Sequence, residues 1–163
     1  MSIVIRRNFG DLSALKLTAP ELMREIGLMA ARLIRTRTEH GLDVHGAAFQ
    51  SLSDGYAKQK QKALGHSRAD LQVSGRMLND MQVTEVTENR ATIGFISSGA
   101  GSSRGTFIQR SRSVGANDKA FFHNEVGAGK SQVIREFFDL SEADADQIET
   151  AVDAYLEKML QHA

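Results

Sequence analysis

Gly127-Ala128-Gly129-Lys130-Ser131 is the stretch with the most obvious chemical promise. It reads like the end of a phosphate-binding loop, where glycines let backbone N–H groups curl around a phosphate and a lysine meets its charge. The first glycine of that pattern falls on Asn124, so one defining residue is missing. Such a loop also follows a buried strand and opens a helix. Here the preceding residues, 120–125, turn polar, and Gln132–Phe137 reads as extended. No apolar run ending in Asp offers a magnesium site. A nucleotide-binding enzyme using Lys130 and Ser131 is the least supported reading.

Other candidates fare no better. Gly99-Ala-Gly101 is followed by Ser103 and Arg104 rather than by the third glycine of a dinucleotide turn, and no helix lies behind it. His40, Asp43 and His45 are close in sequence, but a glycine-bounded loop fixes no geometry for a metal. His123, between Phe122 and Asn124, fits a partly buried, hydrogen-bonded role better than that of a base. No nucleophile elbow accompanies the serines. No catalytic, cofactor-binding or metal-ligating residue is assigned, and the chain is read as not an enzyme.

Bulk properties narrow the class. The 163 residues suit one domain with a real core, spanning 1–163. The absence of cysteine excludes disulfides and thiolate metal sites. No apolar run is long enough to cross a membrane, and no signal peptide is visible. Net charge is zero but unevenly spread. Residues 1–40 carry seven bases against four acids, and 99–119 carry four against one. Residues 120–163 hold nine acids against three bases. A chain split this way suits head-to-tail packing of copies better than coating nucleic acid.

The elements that must position these residues are legible in outline. Ser2–Arg6 reads as a strand, with Ile3 and Ile5 on one face. Residues 7–17 read as a loop. Thr18-Ala-Pro-Glu21 is a capping box that opens a helix ending near His40, with Gly41 as a left-handed cap. Leu22, Ile26, Met29 and Leu33 form its apolar stripe, widened by Met23, Ala30 and Ile34. Arg24, Arg32, Arg35 and Arg37 are placed on the opposite, solvated face. Ser53 caps a short helix running to Leu64. Residues 71–81 read as a turn capped by Ser74 leading into a helix with Met77, Leu78 and Met81 inward. Gln82–Phe95 reads as a hairpin whose Val83 and Val86 have opposite parity, which requires a bulge or two buried faces. Ser141-Glu-Ala-Asp144 caps a final helix with Ile148, Val152, Tyr155 and Met159 inward.

Residues 97–119 are Ser-, Gly- and Arg-rich and read as a flexible loop, too long to be without a use. Arg104, Arg110, Arg112 and Lys119 make it a candidate inter-subunit or docking loop, with phosphate contact as a further use. The expected fold class is α+β: two long amphipathic helices packed on a small, mainly antiparallel sheet, with this loop attached.

The order and spacing of several motifs resemble the phage virion morphogenesis or tail-completion family, which includes neck and tail proteins of Mu-like phages. The residues concerned run from Arg35-Thr through Gly41-x-Asp43-x-x-Gly46-x-x-Phe49-x-x-Leu52 to Tyr56-Ala57. They continue with Leu71-x-x-Ser74-Gly75-x-Met77-Leu78, Ile93-Gly94 and His123-Asn124-x-x-Gly127, and end in Arg135-Glu-Phe137-Phe138-x-Leu140-Ser141. Phe121-Phe122 stands where the family commonly has Tyr-Ala, and Val133-Ile134 where it has Pro-Ala. The resemblance implies a structural virion protein at the head–tail junction, made in the host cytoplasm and acting by oligomeric docking. It implies a ring of copies, a hexamer in the particle, that meets tail-tube, tail-terminator or head-connector proteins. His123, Gly127, Arg135, Phe137 and Phe138 then form a structural motif, with Arg135 anchoring the approach to the last helix. A DNA-contacting assembly factor, using the arginines of the first helix and the basic loop, is the main alternative.

Overall fold

The computed structural model describes residues 1–6, 18–72, 75–96, 115–127 and 132–161, and shows an α+β fold. Strand β1 (Ser2–Arg6) is followed by helix α1 (Ala19–Glu39). Thr18 and Glu21 form the expected cap: the Glu21 carboxylate accepts the Thr18 backbone N–H at 3.0 Å and the Thr18 hydroxyl at 2.8 Å. These bonds hold the Glu21 carboxyl below its ordinary pKa. Gly41, at φ +79°, takes the left-handed position just past the helix.

Helix α2 (Asp54–Leu64) follows Ser53, and α3 (Arg76–Asn79) is a single turn. The longer helix expected up to Met81 does not form. Asp80 closes the turn by donating its N–H to the Arg76 carbonyl at 3.1 Å, and Met81 opens strand β2 (Met81–Val86). Met77, Leu78 and Met81 are nonetheless all buried. Ser74, expected to cap this helix, lies outside the described residues.

Strands β2 and β3 (Arg90–Phe95) form the antiparallel hairpin, and β1 adds to the other side of β3, giving the order β1-β3-β2. The register shifts between Val83 and Glu85, so a bulge resolves the parity conflict. It allows Val83 opposite Ile93 and Val86 opposite Ala91 to turn toward the same helix. Helix α1 crosses this face closely. A Cβ on Gly27 would lie 2.9 Å from Val83 Cγ2 and 3.1 Å from the Ala91 Cβ, so a larger residue there would force a shift at this contact.

Residues 116–119, expected within the loop 97–119, instead belong to helix α4 (Ala116–Phe121), which carries Lys119 on its exposed side. Ala116 and Ala120 pin it to the core. A π-helical turn (Phe122–Val126) continues it.

Helix α5 (Glu142–Leu160) packs on α1 rather than on the sheet. Ile148 and Val152 are buried and Leu156 is partly so, whereas Tyr155 is 40% exposed. The stripe therefore runs every fourth residue through Leu156, displacing Tyr155 outward. The Met159 side chain lies outside the described residues. Among the described residues no helix is long and apolar enough to cross a membrane.

Candidate functional site

Two junctions organise the residues singled out from sequence. The first joins the π-helical turn to the segment before α5. Asn124 Oδ1 accepts the backbone N–H of Phe137 at 2.9 Å and of Phe138 at 2.8 Å. A single side-chain oxygen thus satisfies two donors that a buried Phe-Phe pair must otherwise leave unpaired. Phe137 is fully buried and Phe138 nearly so. Phe138 also packs on Phe95 of β3, ring centroids 4.8 Å apart, which ties the junction to the sheet.

Arg135 completes this junction. Its backbone N–H donates to the His123 carbonyl at 2.7 Å, and its Nη2 donates to the Gln50 carbonyl at 3.0 Å. The Arg135 side chain thus meets a backbone carbonyl of the segment that leads into α2. Burial lowers the pKa of Arg135. Burial, and then the neighbouring Arg135 charge, lower that of His123. The buried His123 Nδ1 and Arg135 Nε have no hydrogen-bond partner among the described residues.

Gly127 has a conformational role. Its N–H donates to the Phe122 carbonyl at 2.7 Å, closing the π-helical turn. Its φ is +90°, and an added Cβ would lie 2.1 Å from the Gln132 carbonyl oxygen. That N–H is thus already engaged, and helical residues rather than a strand precede it. Both facts oppose a phosphate-binding loop. Lys130 and Ser131 lie outside the described residues, as do Arg104, Arg110 and Arg112.

The second junction joins the end of α1 to the start of α5 and was missed in sequence. Arg37, assigned above to a solvated face, is buried and pairs with Asp144 through Nη1. Its Nη2 donates to the carbonyls of Phe137 at 2.9 Å and Asp139 at 2.6 Å. Asp144 also accepts the Ser141 N–H at 3.0 Å, while its own N–H donates to the Ser141 hydroxyl at 3.1 Å. The carboxylate thus serves as both helix cap and counter-ion. A signal existed: Arg37 follows Ala30 and Ile34 at helical spacing, which puts it on the apolar stripe.

Arg35 is likewise not a free surface cation. It donates from Nε to the Leu78 carbonyl at 3.2 Å and from Nη2 to the Met81 carbonyl at 3.1 Å, holding the turn between α3 and β2. Arg24 and Arg32 are exposed. A further pair, Lys60 with Asp70, is buried between α2 and the loop behind it.

The 41–49 loop has a fixed geometry after all. Leu42 and Ala48 form a β-bridge, the Val44 N–H donates to the Glu136 carbonyl at 2.8 Å, and Asp43 Oδ1 accepts the N–H of His45 and Ala47. His40 Nδ1 is engaged with the Thr36 carbonyl at 2.7 Å. Among the described residues no group of three His, Asp or Glu side chains is placed to hold a metal ion.

No family model, curated protein or solved structure matches the chain.

Proposed function

We propose that this protein is a structural phage component of the head–tail junction, a tail-completion or neck protein that acts by docking copies together during virion assembly. One observation carries the reading. Several residues on which the family resemblance rests engage one another: Asn124 clamps Phe137 and Phe138, and Arg35 donates to the Leu78 carbonyl, while Arg135 reaches the carbonyl of Gln50 beside Phe49. A motif set whose members brace a scaffold supports an assembly role, because shape held to fine tolerance is what a docking part must offer its neighbours. In this reading α1 and α5 are the two long framing helices. The Ser/Gly/Arg-rich stretch before α4 is the docking element.

The DNA-contacting alternative is weakened. Two of the four arginines it would use on α1, Arg35 and Arg37, hold internal carbonyls and a carboxylate instead.

The test is genetic complementation with a chain lacking residues 100–113, which spares the buried Ala116. The expected outcome is a variant that folds, by its circular dichroism and cooperative melting, but leaves heads and tails unjoined. Infectious particles rescued by the variant would remove this segment as the docking element. Failure of the intact chain to rescue would remove the virion role itself.

A further inference from the structure

A groove of about 940 Å³ opens between the second half of α1, the 42–46 turn, residues 136–141 and the start of α5. Leu33, Leu42, Val44 and Leu140 line it, each only partly buried, so apolar surface faces outward there. Three exposed carboxylates, Glu136, Asp139 and Glu142, stand around it. Asp144 also lines the groove, but its charge is matched by Arg37. On one side His45 Nε2 lies 3.5 Å from Glu136 Oε2. The site combines an apolar floor with an unbalanced acidic rim, the composition that recognises an apolar peptide flanked by cations.

We propose that this groove receives residues 104–112 of a second copy of the chain. That stretch, Arg-Gly-Thr-Phe-Ile-Gln-Arg-Ser-Arg, places Phe107 and Ile108 between Arg104 on one side and Arg110 and Arg112 on the other, and contains no acid. The apolar pair matches the floor, and the arginines match the Glu136 and Glu142 carboxylates, Asp139 acting in part on Arg37. Donor segment and receptor groove are different surfaces, so the contact is head-to-tail, and such contacts close into rings when the rotation between copies allows. The inference rests on the assembly reading above for its choice of a second copy as occupant.

The test uses the full-length chain and measures solution mass against concentration, at low and at high salt. The unaltered chain is expected to self-associate, more weakly as salt rises. One variant carries Arg104→Glu, Arg110→Glu and Arg112→Glu; another carries Glu136→Lys and Glu142→Lys. Each is expected to lower the association constant by about tenfold or more, and both sets combined in one chain restore it. Thermal melting checks that every variant is folded, since all the changes avoid the buried Arg37–Asp144 pair. A chain monomeric at all concentrations, a groove variant that associates like the unaltered chain, or a combined variant that is not restored would each overturn the proposal. So would a cross-link between segment and groove formed within a single chain.

Head-to-tail joining, scored separately, keeps the two ideas apart. Normal joining by a groove variant that no longer self-associates overturns a need for this contact in assembly. Failure of joining by the unaltered chain overturns the virion reading and leaves the measured contact intact.

Discussion

Arg37 and Arg135 are buried alike, 9% and 8% exposed, and both stand at the approach to α5. Arg37 meets a carboxylate and two carbonyls. Arg135 meets the Gln50 carbonyl, with His123 as its neighbour. Burial lowers the pKa of both, opposed at Arg37 by the Asp139 and Asp43 carboxylates and at Arg135 by Tyr56. Removing a charge from water is costly, and a counter-ion in good geometry offsets most of that cost. The Arg37 junction is therefore charge-compensated, although its Nε, like that of Arg135, has no hydrogen-bond partner among the described residues. The Arg135 junction holds a cation largely through dipoles. Arg37 reaches the approach to α5 from the end of α1, while Arg135 stands within that approach, and both are equally buried, so the difference comes from their partners rather than from depth.

The sharpest way to test the contrast is to remove one counter-ion. Asp144→Ala strips Arg37 of its carboxylate, and also removes the oxygen that accepts the Ser141 N–H. Removing one partner of a buried ion pair costs about 3–5 kcal/mol; because Asp139 and Asp43 still act on Arg37, urea unfolding should show a loss toward the lower end of that range. Replacing both partners, Arg37→Met with Asp144→Leu, should recover most of it, because no buried charge then remains. Equal losses in the single and double variants would show that packing, not charge pairing, makes this junction.

The complementary change at the other site should do much less. Arg135→Met deletes a cation that meets no carboxylate among the described residues, and leaves the Gln50 carbonyl without its donor. The lost hydrogen bond and the relieved desolvation oppose each other, so a net cost of about 1 kcal/mol or less is expected in the same unfolding measurement. A loss as large as that of Asp144→Ala would mean the two arginines are held in equivalent ways, and the comparison would fail.

The same contrast explains what could be read from sequence. The box formed by Thr18 and Glu21 is a local pattern, and it marks the start of α1 in any context. The clash in parity between Val83 and Val86 is local too, and it foretells the bulge. Arg37 was on the page as a position of the apolar stripe, but its type suggested solvent, and its partner lies 107 residues away. No local rule pairs Arg37 with Asp144 across that separation. The end of α3 was misjudged because Met81 satisfies an apolar pattern equally well as a helix residue or as the first residue of a strand. Asn124 was visible within a motif, yet its use as acceptor for two backbone donors depends on where the chain returns after Gln132. Local capping and periodicity gave the elements. Long-range polar partners decide how they lock, and no local pattern names those partners.

The smallest expected effect concerns His123, and it probes the open character of the Arg135 junction directly. Burial and then the Arg135 charge lower its folded-state pKa below the ordinary value of 6.5. Between that value and the lower folded pKa, the unfolded chain binds a proton that the folded chain does not. Stability from this group is therefore full above pH ~6.5 and falls as the solution is acidified through that window. The geometry agrees with the sign: a protonated ring would place a second cation beside Arg135, and the buried Nδ1 has no acceptor among the described residues. His123→Gln has no proton to gain. The measurement is the urea midpoint of both proteins as pH is lowered from 7 through this window. The unaltered chain should lose more stability than the variant, whatever the other carboxylates and histidines contribute, because those are common to both. Parallel curves would mean that His123 titrates alike in folded and unfolded chains, and the junction would then be wetter and more fully compensated than its contacts with Arg135 suggest.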